Sequence, residues 1–256
     1  MRYLMLFFCA VVASFALDAQ EIMREVDERD KGDRMRANMQ MILVDGANRT
    51  RERKMVQFKR DFAAITKKAI IFLEPSDVKN TGFLIFDHKS EDDEQWLYLP
   101  NLQKTKRIAS SDQSGSFMGS DFSYNDLNDR NIDDYNYKLV GDREVNGFAV
   151  WLIEATPKNE RVRENSGYTR SLLAVRKDNF FVIRAINYET KKNRVKFLDI
   201  PTVEQIDGIW QPLEMQMTTK QDNTVLHSTT IRFQNVRFGQ ELDDEQFSIR
   251  GIERGL

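Results

Sequence analysis

Gln95-Trp-Leu-Tyr-Leu-Pro-Asn-Leu-Gln-Lys-Thr-Lys-Arg-Ile-Ala109 is followed by Ser114-Gly-Ser-Phe-Met-Gly-Ser-Asp-Phe-Ser-Tyr124. Trp96, Leu97, Tyr98 and Leu99 have the aromatic and branched character of a strand. Pro100-Asn101 breaks it, because proline lacks an amide donor and the pair favours a turn. A short basic run follows at Lys104, Lys106 and Arg107. Then Gly115 and Gly119 flank two apolar residues, Phe117 and Met118, in a loop expected to expose them. The loop is no phosphate cradle. It lacks the G-x-x-x-x-G-K-[ST] frame, and no strand feeds it into a long helix.

Strand periodicity extends outward from this segment. Met35, Ala37, Met39, Met41 and Leu43 alternate with Arg34, Arg36, Asn38 and Gln40, one face apolar and the other wet. Similar reasoning predicts strands over 51–59, 67–73, 82–87, 95–99, 135–145, 148–156, 169–176, 180–188, 194–200, 202–206, 209–220 and 224–238. Asn146-Gly147 and Asp207-Gly208 predict tight hairpins, since both dipeptides accept positive φ. Two stretches depart from the pattern. Residues 21–30 read as a helix with Ile22 and Val26 on one face, stopped at Gly32. Residues 110–134 are the one long interruption, with Ser123-x-x-Asp126 as a helix start. Leu242 to Phe247 reads as a helical turn capped by Asp243. With 5 Pro and 12 Gly in 256 residues, no flexible linker divides the chain, so residues 20–256 are expected to form one domain. A dozen strands on short turns make a mainly β fold, and one antiparallel sheet of that length should curl.

The N-terminus reads as a secretory signal peptide, residues 1–19. Arg2 precedes an apolar run from Tyr3 to Ala13, too short to span a bilayer comfortably. Cleavage is expected after Ala19, with Ala16 as the alternative. Cys9, the only cysteine, lies inside that run, so the mature chain has neither disulfides nor thiol chemistry. A net charge of -2, from 38 basic and 40 acidic residues, gives no field for nucleic acid.

Catalysis finds few candidates. His88 and His227 are the only histidines. The first ends a strand before a charged loop; the second shares a face with Val225, Thr229, Ile231 and Phe233. Glu91, Asp92, Asp93 and Glu94 diverge on an extended backbone and do not have the spacing of a calcium loop. Asp129, Asp133 and Asp134 repeat that weak pattern. No cofactor or metal motif is recognised, and the chain is expected not to be an enzyme. Methionines are frequent on the predicted strands, at positions 35, 39, 41, 55, 215 and 217, and suit a cavity that accepts variable chains.

Residues 95–124 closely resemble the signature of the outer-membrane lipoprotein-sorting proteins, the LolA-like periplasmic family often encoded beside exporters. The resemblance implies a half-open barrel, one curled antiparallel sheet with short helices over its concave face. It implies a carrier that shelters the acyl chains of a lipoprotein or lipid, moving it from an inner-membrane exporter toward an outer-membrane acceptor. Membrane contact would be transient and the carrier a monomer. Trp96, Tyr98 and Pro100 would form the mouth. Phe117, Met118, Phe122 and Tyr124 would form a flap hinged at Gly115 and Gly119, over Met39 and Met41. Lys104 and Arg107 would be polar contacts. Each buried methylene gains roughly 0.8 kcal/mol, so a sixteen-carbon chain gains on the order of 12 kcal/mol before entropy costs. Two other readings are an interaction module docking on an exporter through an open sheet edge, and an envelope lipid hydrolase dependent on His88 or His227.

Overall fold

The computed structural model describes residues 17–89, 91–191 and 193–255. The apolar run of the signal peptide and Cys9 lie outside the described residues. Among the described residues, thirteen strands form one antiparallel sheet. They are β1 (Arg34–Asp45), β2 (Thr50–Asp61), β3 (Ile65–Glu74), β4 (Gly82–His88), β5 (Glu94–Leu99), β6 (Lys104–Ile108), β7 (Tyr135–Val145), β8 (Phe148–Pro157), β9 (Tyr168–Arg176), β10 (Val182–Glu189), β11 (Arg194–Ile206), β12 (Ile209–Gln221) and β13 (Thr224–Phe238). The order across the sheet is β6-β5-β4-β3-β2-β1-β13-β12-β11-β10-β9-β8-β7. Two meanders therefore join where the first strand pairs with the last, from Met35 against Phe238 to Asp45 against His227. β6 and β7 are the free edges, so the sheet curls without closing, as the half-open barrel requires.

Local chemistry explains most boundaries. Asn146-Gly147 and Asp207-Gly208 both have positive φ at each residue, as tight hairpins demand. Helix α1 (Ala19–Glu28) starts two residues ahead of its expected position. Asp18 caps it, and Glu21 returns a bond to the Asp18 amide in a capping box. The helix ends at Arg29, not at Gly32. Gly32 serves a different need: a Cβ there would lie 2.6 Å from the Phe238 ring. Strand β6 is hard to read in sequence because three of its five residues are basic and only Ile108 is buried. Pro201 does not split β11; a register irregularity between Asp199 and Thr202 absorbs it. Two short helices, α2 (Glu160–Ser166) and α3 (Ile249–Arg254), lie outside the predicted set. The turn Asp244–Phe247 forms with Asp243 as its cap, as expected.

Alternation on the strands puts apolar residues on both faces. On the convex side Val56, Phe58, Ile71 and Leu84 lie beneath Phe247 and Ile252. α3 approaches so closely that a Cβ on Gly82 would sit 2.7 Å from Ile252. Leu242 joins the same cluster. The concave side carries two clusters, one under residues 115–124 and one under α1. Phe247 is fully buried, so Phe247→Ala should cost about 3–5 kcal/mol of stability, measured by urea unfolding of the mature protein.

Candidate functional site

The chain segment between the two free edges crosses the concave face and fills one half of it. Phe117 reaches 1% exposure. Its ring lies 5.0 Å from that of Phe83, 6.0 Å from Phe72 and 5.8 Å from Tyr124. Phe122 is equally buried. Beneath them lie Met39, Met41, Met55 and Ile231, with Met118 and Tyr124 packed at the rim. This segment is a plug, not an exposed flap. The Phe117 amide donates to the Phe122 carbonyl (2.8 Å) and the Tyr124 amide to that of Gly115 (3.0 Å). Arg53 Nη1 donates to the Met118 carbonyl at 2.5 Å. Met118 itself holds a left-handed backbone, φ 50°, beside Gly119 at φ 75°. Gly115 is needed for a different reason: a Cβ would meet the Asp112 carbonyl oxygen at 2.9 Å.

Asp121 anchors the plug to the sheet. Its carboxylate accepts from Thr219 Oγ1 (2.5 Å) and Thr229 Oγ1 (2.7 Å), and His227 Nδ1 meets the same group. The Asp121 amide donates to Thr229 Oγ1 at 3.0 Å. Thr219 pairs with His227, and Met217 with Thr229, across β12 and β13. His227 is thus a docking residue for the loop.

The other half of the concave face is hollow. A cavity of about 850 Å³ has Leu173, Val182, Ala185, Leu198, Met215 and Met217 as its floor, on β9 to β12, with Met23 and Val26 of α1 above. Its wall changes character toward the mouth. There Lys68 Nζ contacts Asp129 (2.8 Å) and Asp87 (3.2 Å), and Lys31 Nζ contacts Asp129 (3.1 Å) and Asp27 (3.0 Å). Burial alone would lower the Lys68 ammonium; Asp129 and Asp87 outweigh it and hold it above the usual lysine range. Lys68, with Lys31, holds the Asp129 carboxyl well below the usual carboxylate range. Lys59 is shifted down by burial and donates to the backbone carbonyls of Lys31 (2.9 Å) and Gly32 (3.1 Å). These bonds tie the end of α1 and residues 127–129 to the sheet.

A second latch involves the acidic run, whose members do diverge. Asp92 pairs with Arg161 at the surface. Asp93 turns inward, accepting from Asn128 Nδ2 (2.6 Å) and from the His88 amide (2.9 Å). Gln95 Nε2 donates to Asn128 Oδ1 (2.6 Å) and to the Tyr124 carbonyl (2.9 Å). Burial, then repulsion from Asp87, pushes the Asp93 carboxyl up to about 7. Deeper in, Tyr168 Oη donates to Asp126 at 2.9 Å, and burial, with Asp126 beside it, raises the phenol well above its ordinary value.

The sequence-derived site residues divide into three places. Met39, Met41, Phe117, Met118, Phe122 and Tyr124 come together, but in the filled half; of these only Phe122 reaches the cavity wall. Met215 and Met217, on the same methionine pattern, line the hollow. Trp96 and Tyr98 do not form its mouth. Alternation on β5 sends Leu97 to the concave face and those two to the convex cluster with Phe247. Pro100 opens a short turn past β5 at the sheet edge. Lys104 and Arg107 are exposed on β6, Arg107 paired with Glu94 at 2.7 Å. Sequence reasoning missed Leu173, Ala185 and Leu198, which it placed on strands without assigning them to a site.

A domain from Vibrio parahaemolyticus named for outer-membrane lipoprotein sorting is 32% identical, with a TM-score of 0.84 over 92% of this chain and 98% of its own. The chain belongs to the LolA-like family. A family model described as an uncharacterized protein matches residues 65–254. A DUF1329 family protein from Desulfovibrio piger is 28% identical (TM-score 0.83, covering 91% and 97%). A LolA superfamily protein from Nitrosomonas europaea, 17% identical, shares the fold at a TM-score of 0.69 over 91% and 98%. Comparison with curated proteins gives no match. In this LolA-like chain the concave face is half plugged by its own loop and half hollow.

Two outcomes follow from these contacts. Asp121→Ala strands two buried hydroxyls and releases the plug, so stability should fall by about 3 kcal/mol and the 115–124 amides should lose hydrogen-exchange protection. Asp93, with a folded-state value above its unfolded one, binds more protons folded than unfolded between about pH 4 and 7. Stability from this group therefore falls as pH rises through that window, by no more than ~2 kcal/mol after screening. The pH 5 to 8 slope of unfolding should shrink in Asp93→Asn by that amount.

Proposed function

We propose that this chain is a non-enzymatic carrier that shelters an acyl chain in the hollow half of its sheet and moves it through the envelope toward the outer membrane. The observation that carries this reading is the 850 Å³ cavity with an apolar floor, within the size range of small-molecule sites. The name of the Vibrio parahaemolyticus relative supports it, as does the signal-peptide pattern. We place the signal cleavage after Ala16. Cutting after Ala19 would remove Asp18, which caps α1, and Ala19, which packs in the cluster beneath it.

An inner-membrane exporter is the proposed donor. The free edge at β7 supports a docking role, since Leu139 and Val140 are exposed on it and Phe148 is exposed on the adjoining β8. A hydrolase has less support. The Nδ1 of His227 is engaged by Asp121, and His88 Nε2 lies 3.6 Å from Glu94 at a strand end. His88→Ala with His227→Ala should leave transfer of lipid intact.

Native mass spectrometry of the protein from a periplasmic extract tests the carrier. An acyl-bearing adduct is expected in the wild type. It should be lost in Met215→Lys, which places a charge on the cavity floor, with circular dichroism unchanged. A wild type that carries no adduct and takes up no added phospholipid or lipopeptide would sink the reading.

A further inference from the structure

The register of the sheet lays a polar row beside the apolar floor. Tyr137, Ala155, Ser171, Asn187, Lys196, Thr219 and His227 are paired in succession across β7 to β13. The neighbouring row is Ile153, Leu173, Ala185, Leu198 and Met217. Most of the polar row has partners. Thr219 and His227 hold Asp121, and Lys196 Nζ lies 3.8 Å from Asp126 and 3.9 Å from Glu189.

Three polar atoms in one corner do not. Asn187 is 4% exposed, lines the cavity, and its Oδ1 has no hydrogen-bond partner. Arg130, on the chain segment above, also lines the cavity. Its Nη2 reaches Ser171 Oγ at 3.4 Å, while its buried Nη1 has no partner. Among the described residues no carboxylate forms an ion pair with Arg130; the guanidinium stacks 4.6 Å over the Tyr135 ring. The third is Tyr137 Oη. The acids nearby are already engaged: Asp126 by Tyr168 and Lys196, Glu189 by Arg194 and Lys196, and Asp27 by Lys31. Burying a guanidinium hydrogen and an amide oxygen without partners is costly, and both residues border the cavity that a ligand would enter.

We propose that Arg130, Ser171 and Asn187 form a head-group site, one that takes an acyl amphiphile bearing anionic oxygens beside a hydroxyl or amine donor. The proposal rests on the carrier reading and deepens it. Anionic oxygens match the guanidinium fork, and the donor serves Asn187 Oδ1. The chain then lies along Leu173, Ala185, Leu198 and Met217. Capacity points the same way. If a methylene takes about the space of a water molecule, ~30 Å³, then 850 Å³ holds fewer than thirty methylenes. Three long chains, as on a triacylated lipoprotein, exceed it. A free amphiphile of one long chain, carrying a phosphate, fits both the volume and the corner.

Binding of three palmitoyl probes to the delipidated mature protein, measured by titration calorimetry, tests this. Palmitoyl-lysophosphatidylglycerol has the phosphate and hydroxyls, palmitate only a carboxylate, and monopalmitin no charge. Arg130→Gln should weaken lysophosphatidylglycerol at least tenfold and leave monopalmitin within twofold. Arg130→Lys should recover part of the loss, and Asn187→Leu should weaken lysophosphatidylglycerol more than palmitate. A dependence on Arg130 for palmitate alone would keep the site and make the head a carboxylate. Equal affinities in wild type and both Arg130 variants would overturn the head-group site while leaving the carrier standing. Equal weakening of monopalmitin would also overturn it, by making Arg130 structural. Failure of the wild type to bind any probe would remove the carrier reading and this site together. Unfolding midpoints decide whether Arg130→Gln is folded; if not, Arg130→Lys and Asn187→Leu carry the comparison.

Discussion

Everything in this architecture hangs on the pairing of β1 with β13. It joins the first strand to the last and makes one sheet out of two meanders. Closing so long a loop is entropically costly, and it repays that cost only because both strands are long and apolar on one side. Its topological effect is larger than its energy. With the ends of the chain paired at the centre, the middle of the chain must supply both edges. The connection from β6 to β7 then has to travel between opposite margins of the sheet. The short path lies across the concave face, and that path becomes the plug.

The plug also explains why the face is divided. Residues 109–134 have enough apolar side chains, Phe117, Phe122, Tyr124 and Leu127, to cover β1 to β6. Beyond Asn128 the connection turns polar, and the strands from β9 to β12 are left with no loop to fill them. α1 covers that half only partly. Polar contacts concentrate along the boundary: Asp121 on Thr219 and Thr229, Lys68 on Asp129, Tyr168 on Asp126. Each fixes the covering segment to the sheet without consuming apolar surface, so the hollow keeps its floor.

Much of the fold was legible because alternation of period two is a direct record of which face is wet. The strands at Met35–Leu43 and the two Gly-containing hairpins stand where the pattern puts them. Legibility failed where a short element depends on distant partners. β6 has basic residues on both faces and only Ile108 buried, and α3 is six residues long; neither has a pattern strong enough to stand alone. The site was harder still. Phe117 and Met118 read as exposed because their loop is polar and glycine-bearing, and nothing local reveals that Asp121 has a socket on β12 and β13. Trp96 and Tyr98 stand out as large aromatics, yet their parity on β5 assigns them to the opposite face from Leu97. Arg130 and Asn187 lie apart in sequence, and only the register brings them to one corner.

The unpaired margins of the sheet set its mechanics. In a closed barrel, strand number and shear together fix the radius, and widening the lumen means slipping hydrogen bonds between strands. Here β6 and β7 meet no such closure condition. The sheet can flatten or tighten by small changes of twist spread over twelve strand pairs, each keeping its ladder intact. Curvature is then a soft coordinate of the molecule, while the connectivity of the ladder is a stiff one. A guest of different girth would be met by bending shared across the ladder and not by the slip of any one strand pair.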